Sequence, residues 1–165
     1  MGNISIIVVE DQREVLHAIS RDLTVLEDFL SVEECESAVE AFELVSSIEA
    51  AGDFVALIIS DHVMPGQRGV DFLAGIQRDE RFKGTKKILL TGLATHGDTI
   101  NAINKAAIDC YISKPWKSNE LLDIVKSLVT TYILEKGIPY ERHLPWMDKE
   151  VLFEKLRKQS DENLD

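Results

Sequence analysis

What this sequence lacks narrows it first. No apolar run approaches the ~20 residues that span a bilayer, so a membrane-spanning helix is not expected. The opening "MGNISIIVVED" has no basic stretch and too short an apolar segment for a secretory signal. It also misses the N-myristoylation pattern M-G-x-x-x-[ST], because Ile6 stands where Ser or Thr is required. Only two cysteines occur, Cys35 and Cys110, with no C-x-x-C. They are expected as free, buried thiols in a reducing compartment. The four histidines, His17, His62, His96 and His143, show no metal-ligand spacing. Neither G-x-x-x-x-G-K-[ST], nor G-x-G-x-x-G, nor a nucleophile elbow is present, which disfavours the usual nucleotide cradles. Positive charge is in deficit: 18 Lys and Arg face 29 Asp and Glu, a net charge of −11. A nucleic-acid surface on this chain is therefore not expected. These absences together read as a cytoplasmic protein.

What is present is an alternation of strand-like and helix-like segments. The 165 residues, 45% of them hydrophobic, suffice for one domain with a real core and a modest extension. "ISIIVV" (Ile4 to Val9) and "FVALIIS" (Phe54 to Ser60) are continuously apolar, as strands buried on both faces should be. "FLSVEEC" is weaker and belongs nearer a sheet edge. "KKILLTG" (Lys86 to Gly92) and "IDCYIS" (Ile108 to Ser113) supply a fourth and a fifth strand. Between them, helical spacing places Val15, Leu16, Ile19, Leu23 and Leu26 on one helix over 12–28. Ala38, Val39, Phe42, Val45 and Ile48 fall on a second, closed by Gly52. Val70, Phe72, Leu73 and Ile76 mark a third, and Asp98 to Ala106 a fourth. The last begins with Ser118 as N-cap and runs to about Lys136, before Gly137. Five βα units imply a parallel sheet covered on both faces, with a doubly wound open sheet the leading topology.

In such sheets ligands sit beyond the carboxyl ends of the strands. There the first strand ends in Glu10-Asp11, the third in Asp61, the fourth in Thr91 and the fifth in Lys114-Pro115. Singly, each residue is a cap, a loop acid or a surface lysine. Jointly, they bring three carboxylates, a hydroxyl and an ammonium to one edge. At an effective dielectric of ~20, two carboxylates ~5 Å apart repel by roughly 3 kcal/mol. Lys114 offsets part of that, and a hard divalent cation with oxygen ligands, Mg²⁺ above all, is the natural second partner. Beyond Asp61, Met64-Pro65-Gly66 breaks the chain sharply, Pro fixing φ and Gly permitting φ > 0.

These motifs, "VVED", "ISDHVMPGQRG", "LLTG" and "YISKPW", resemble the receiver domain of bacterial response regulators over roughly residues 3 to 134. The resemblance implies a flavodoxin-like sheet of strand order 2-1-3-4-5. It implies a phosphorylation-operated switch of a two-component system, not an enzyme in its own right beyond its own phosphotransfer and dephosphorylation. Asp61 corresponds to the phosphoacceptor, charged by a histidine kinase or phosphotransfer protein. Asp11 corresponds to the direct Mg²⁺ ligand, with Glu10 acting through water, Asp61 itself and the backbone carbonyl of Val63 completing the protein ligands. Lys114 would pair with the acceptor carboxylate and then with the phosphoryl group, Thr91 would donate to a phosphoryl oxygen, and Tyr111 would be the switching aromatic. Three positions depart from or vary the pattern. Ala106-Ala107 stands where the family usually has a glycine, so the turn before the last strand is expected to differ slightly. Gly92 keeps the phosphoryl entrance open, and Trp116 replaces the commoner Phe. The run "AINKAAIDCYISKPW" is similar to receivers that precede signalling enzymes or transcription activators.

Two other functional classes stand as alternatives. A Mg²⁺-dependent phosphatase of the haloacid-dehalogenase type needs a second Asp two residues past its nucleophile, where this chain has Val63. A receiver-like module that never takes phosphate usually lacks an acid, the acceptor or the lysine, and all are here. His62 adjoins Asp61 and could affect access or phosphoryl lifetime, while Trp116 and Trp146 read as packing anchors. After residue 136 the chain continues as a connector and tail, 137–165. Asp148 is the expected N-cap of a short helix, Lys149 to Gln159, with Leu152, Phe153 and Leu156 on one side. So short a helix is marginal alone, and should dock on its own domain or, as a homodimer contact, on a second copy; the alternative is a frayed stub leading to an output domain absent from this sequence.

Overall fold

The computed structural model describes residues 2–92 and 104–164. The helix expected over Asp98 to Ala106 lies largely outside them, as do His96 and the segment following Gly92. Five parallel strands form one sheet: β1 (Ile4–Val9), β2 (Ser31–Cys35), β3 (Phe54–Ser60), β4 (Lys86–Thr91) and β5 (Cys110–Ser113), in the order β2-β1-β3-β4-β5. The fold is flavodoxin-like, as expected. The unbroken apolar runs of β1 and β3 follow from this order, because both strands have neighbours on either side and helices on either face. Along β1, Ile4, Ile6 and Val8 enter one core cluster while Ile7 and Val9 enter the other. The weaker β2 lies at the edge, where its middle residues are part exposed.

The helices are α1 (Arg13–Asp22), α2 (Ala38–Ala50), α3 (Gly69–Arg78), α4 (Ser118–Lys136) and α5 (Lys149–Glu162). Buried residues of α1 and α4 pack with one core cluster, those of α2 and α3 with the other. The first helix is shorter than its periodicity predicts. It ends at Asp22 and is followed by a 3₁₀ turn over Thr24–Leu26, which lets Leu23 and Leu26 both reach full burial. Ser118 is the first helical residue and Lys117 the N-cap, with no side-chain cap. On α2, Ala38, Ala41 and Val45 face the sheet, whereas Val39 and Phe42 remain 68% and 44% exposed. Five apolar residues cover more of the helix circumference than one sheet contact can bury, and the guanidinium of Arg81 lies over the Phe42 ring at 5.9 Å.

The segment after α4 docks on its own domain. Gly137, at φ 74°, caps α4 in the left-handed region. A 3₁₀ turn (Glu141–His143) leads to α5, where the Asp148 carboxylate accepts from the backbone N–H groups of Glu150 and Val151. The Asp148 N–H in turn donates to Thr130 Oγ1 of α4 at 3.0 Å. Trp146, Met147 and Leu152 join the same core cluster as Leu23 and Leu26. Leu156 packs partly buried, but Phe153 is 57% exposed and does not share that face. Both cysteines are free; Cys35 is buried and Cys110 partly so, and burial raises the pKa of each thiol, that of Cys35 to about 12. None of the described helices is long and apolar enough to cross a membrane.

Candidate functional site

The carboxyl ends of β1, β3, β4 and β5 converge where the sequence places its chemistry. Side-chain oxygens of Glu10, Asp11 and Asp61 lie within 4.8 Å of one another. Backbone ladders hold them there: the Asp61 N–H donates to the Val9 carbonyl and the Glu10 N–H to the Cys35 carbonyl, both at 3.0 Å. The Lys114 ammonium, carried on the end of β5, lies 3.0 Å from Glu10 Oε1 and 3.4 Å from Asp61 Oδ1. One cation thus bridges acids from two strands.

Glu10 is fully buried and Asp61 nearly so. Burial pushes the Glu10 carboxyl up to about 7, the nearby Asp61 charge adding to the rise and the Lys114 hydrogen bond opposing it. One cation for this many carboxylates is too little. Glu10 Oε2 is buried with no hydrogen-bond partner among the described residues. An orphaned carboxylate oxygen beside two further acids is the donor set that a hard divalent cation, directly or through its water, satisfies. The site residues therefore fit Mg²⁺.

Outside this cluster opens a cleft of about 530 Å³, lined among others by Asp11, Asp61, Val63, Met64, Thr91 and Lys114. Thr91 is 1% exposed at the tip of β4. The Tyr111 hydroxyl donates to the Thr91 carbonyl at 3.4 Å, and its ring packs part buried against the α2–α3 side of the core. All the residues singled out in the sequence, Glu10, Asp11, Asp61, Val63, Thr91, Tyr111 and Lys114, thus fall at one edge. Trp116 also ties this edge to α1, its indole N–H donating to the Asp22 carboxylate at 2.6 Å.

Two residues escaped the sequence reading. Gly69 opens α3, and a Cβ there would stand 1.9 Å from the Asp61 carbonyl oxygen. The helix start abuts the backbone of the acid itself, and the Gly69 N–H donates to the His62 carbonyl at 2.8 Å. The signal was visible as the last glycine of "MPGQRG", but its reason is a tertiary approach. Gly66, at φ 90°, is left-handed as expected of the turn. The second residue is Lys87, 2% exposed, whose ammonium donates to Gln77 Oε1 at 2.6 Å and to the Thr85 carbonyl at 3.0 Å. In sequence it looks like the polar start of a strand. His62 is also buried, with Nδ1 unpartnered among the described residues. His17 is exposed and pairs with Glu34 at 2.8 Å.

The departure at Ala106-Ala107 has a clear outcome. Ala107 takes φ 51°, the left-handed conformation a glycine would adopt there. The alanine carries the strain of that conformation.

The model of the response regulator receiver domain matches residues 6–126. The chain belongs to this family. The hydrogenase transcriptional regulatory protein HoxA of Bradyrhizobium diazoefficiens is 33% identical over 132 residues, covering 80% of this chain and 25% of that protein. The chain thus spans about a quarter of that regulator's length. The chemotaxis protein CheY-3 of Vibrio cholerae is 29% identical, covering 72% of this chain and 86% of its own. Among solved structures, the signal receiver domain of an HD domain-containing protein from Pseudomonas fluorescens Pf-5 superposes with a TM-score of 0.72 at 27% identity, covering 84% of this chain and 96% of that one. The receiver is a signalling component of two-component systems, a class built on phosphoacceptor switching rather than on turnover.

Proposed function

We propose that this receiver takes a phosphoryl group on Asp61 from the phosphohistidine of a partner kinase or phosphotransfer protein, and that the charge so placed alters its partner surface. The observation that supports this most is the bridged acid cluster: side-chain oxygens of Glu10, Asp11 and Asp61 within 4.8 Å of one another, with Lys114 between Glu10 and Asp61. In the transfer an Asp61 carboxylate oxygen forms a bond to phosphorus as the P–N bond to the donor imidazole breaks; that imidazole, protonated on its other ring nitrogen, keeps the bonding pair and leaves neutral. Asp11, Asp61 and the Val63 carbonyl would hold Mg²⁺, with Glu10 reaching it through water. Bound there, the ion supplies charge neutralisation for the transferring oxygens. Lys114 moves its hydrogen bonding from carboxylate to phosphoryl oxygen. Thr91 donates its hydroxyl to another, and the acyl phosphate so formed is bounded by the turn at Met64-Pro65-Gly66.

Phosphorylation adds about −1.5 to −2 charges at this edge. Thr91 moving toward the new oxygens would draw on the Tyr111 hydrogen bond to its carbonyl, so Tyr111 is the readout. The domain proper is assigned to 1–136 and the connector with its tail to 137–165. Both are assigned to the cytoplasm. With a net charge of −11, the chain itself offers no nucleic-acid surface, and output falls to a downstream protein or domain or to a second copy meeting the exposed side of the tail.

Incubation with acetyl phosphate and Mg²⁺, followed by intact mass measurement, tests this reading. One phosphoryl adduct is expected on the wild type and none on Asp61→Asn. A persistent adduct on that variant would place the chemistry elsewhere.

A further inference from the structure

At the opposite end of the sheet, the connector after α4 crosses the start of β1 and β3 and leaves a cavity of about 450 Å³. That volume lies in the ordinary range of small-molecule sites. Its walls include Ile4, Phe54 and Ile138, so most of the lining is apolar. Its charged lining is Lys136, Arg142 and Glu141, a surplus of one positive charge in a chain of net −11.

His143 lines the same cavity and is 5% exposed. Its Nδ1 accepts the indole N–H of Trp146 at 3.2 Å. Burial and the neighbouring Arg142 charge lower its pKa, which favours the neutral ring. With Nδ1 accepting, the ring proton resides on Nε2. That N–H has no protein acceptor among the described residues. The cavity therefore combines an apolar floor, a neutral ring donor in its wall, and a guanidinium shaped for two parallel hydrogen bonds to a planar anion. A doubly charged phosphate would face Glu141 with too little compensation, whereas a carboxylate carries one charge.

We propose that this cavity binds an amphipathic monocarboxylate, its chain against Ile4, Phe54 and Ile138 and its head on Arg142 and the His143 Nε2–H. Since the connector and the start of the tail form one wall, occupancy would hold the tail against the domain. The site shares no residue with the acid cluster, so it stands or falls apart from the phosphorylation reading.

Decanoate below its micellar range is a suitable probe, titrated calorimetrically into the full chain, with decanol and decylamine as comparators and isoleucine methyl resonances recorded in parallel. Saturable binding of decanoate is expected, with shifts at Ile4 and Ile138 and weaker binding of both comparators. Arg142 is exposed, so Arg142→Ala should stay folded while binding decanoate about ten-fold more weakly or worse. Equal binding of all three amphiphiles, unchanged decanoate affinity in Arg142→Ala, or methyl shifts confined to other isoleucines would each overturn the proposal.

Discussion

The two ends of this sheet are built on opposite principles. At the carboxyl edge, Glu10 and Asp61 are buried beside Asp11 with Lys114 bridging them, one carboxylate oxygen has no partner among the described residues, and a cleft stands open. At the amino edge and along α4, Trp146, Met147 and Leu152 bury apolar surface, and Asp148 and Thr130 pair their polar groups. One end holds charges that oppose folding, because its chemistry needs them. The other contributes packing that offsets the cost. Functional sites commonly violate the local rules that the rest of a fold obeys.

The most severe way to break this contrast is to disturb the backbone beneath the acid. Gly69→Ala would set a Cβ against the Asp61 carbonyl, with backbone on both sides and no flexible side chain to yield. A loss of about 3 kcal/mol or more is expected in urea unfolding, together with slower phosphorylation by acetyl phosphate. Unchanged stability would show that the loop shifts freely.

The two ends should also titrate in opposite senses. Glu10 keeps its proton up to about 7 in the fold but gives it up in the ordinary carboxylate range when unfolded. Metal-free stability should therefore fall as pH rises through that window and level off above it, by roughly 3 kcal/mol. Mg²⁺ should restore part of the loss at pH 8 and little at pH 5. Glu10→Gln should flatten the slope, which thermal melts with and without chelator would reveal. His143 works the other way, since its lowered pKa favours the neutral ring. Its contribution is complete above the ordinary histidine range and declines as pH falls through the folded value.

Leu152→Ala sharpens the comparison from the other side. Its side chain is 2% exposed, so truncation should cost about 2–4 kcal/mol if the tail unfolds with the domain. Acetyl phosphate labelling should persist in the folded variant. An unchanged urea midpoint with faster proteolysis after residue 136 would instead mark the tail as a separate cooperative unit.

A smaller gain is expected from Ala107→Gly, which relieves a left-handed alanine by about 0.5–1 kcal/mol. The unfolded chain also gains freedom with glycine, so the net rise in melting temperature should be modest. The smallest effect belongs to Phe153→Ser. That residue is 57% exposed and should change stability by no more than ~0.5 kcal/mol. A larger loss would show that the exposed face of α5 is covered in solution, which analytical ultracentrifugation would detect as a second copy.

Much of this arrangement was legible along the chain. Ile4–Val9 and Phe54–Ser60 show their double burial as unbroken apolar runs, and those runs coincide with β1 and β3. Glu10, Asp11, Asp61, Thr91 and Lys114 follow strand ends, and parallel strands put all those ends on one side. Periodicity and the handedness of crossovers are local properties, so they survive in one dimension. What they could not convey was which apolar residues would find a neighbour. Val39 and Phe42 obey helical spacing yet face solvent, because the sheet reaches only one side of α2. The first helix stops at Asp22, although its spacing continues, because Leu23 and Leu26 bury better from a 3₁₀ turn. Gly69 carries no local signal of its role, and only the packed loop shows that it leaves room for the backbone of Asp61. Lys87 stands at the polar start of a strand in the sequence and is enclosed with Gln77 and the Thr85 carbonyl. The tail's capping by Asp148 was written in the sequence, because a cap spans only a few residues. Its docking beside α4 was not, because that depends on Thr130 accepting from the Asp148 N–H and on the tail sharing one core cluster with the distant Leu23 and Leu26.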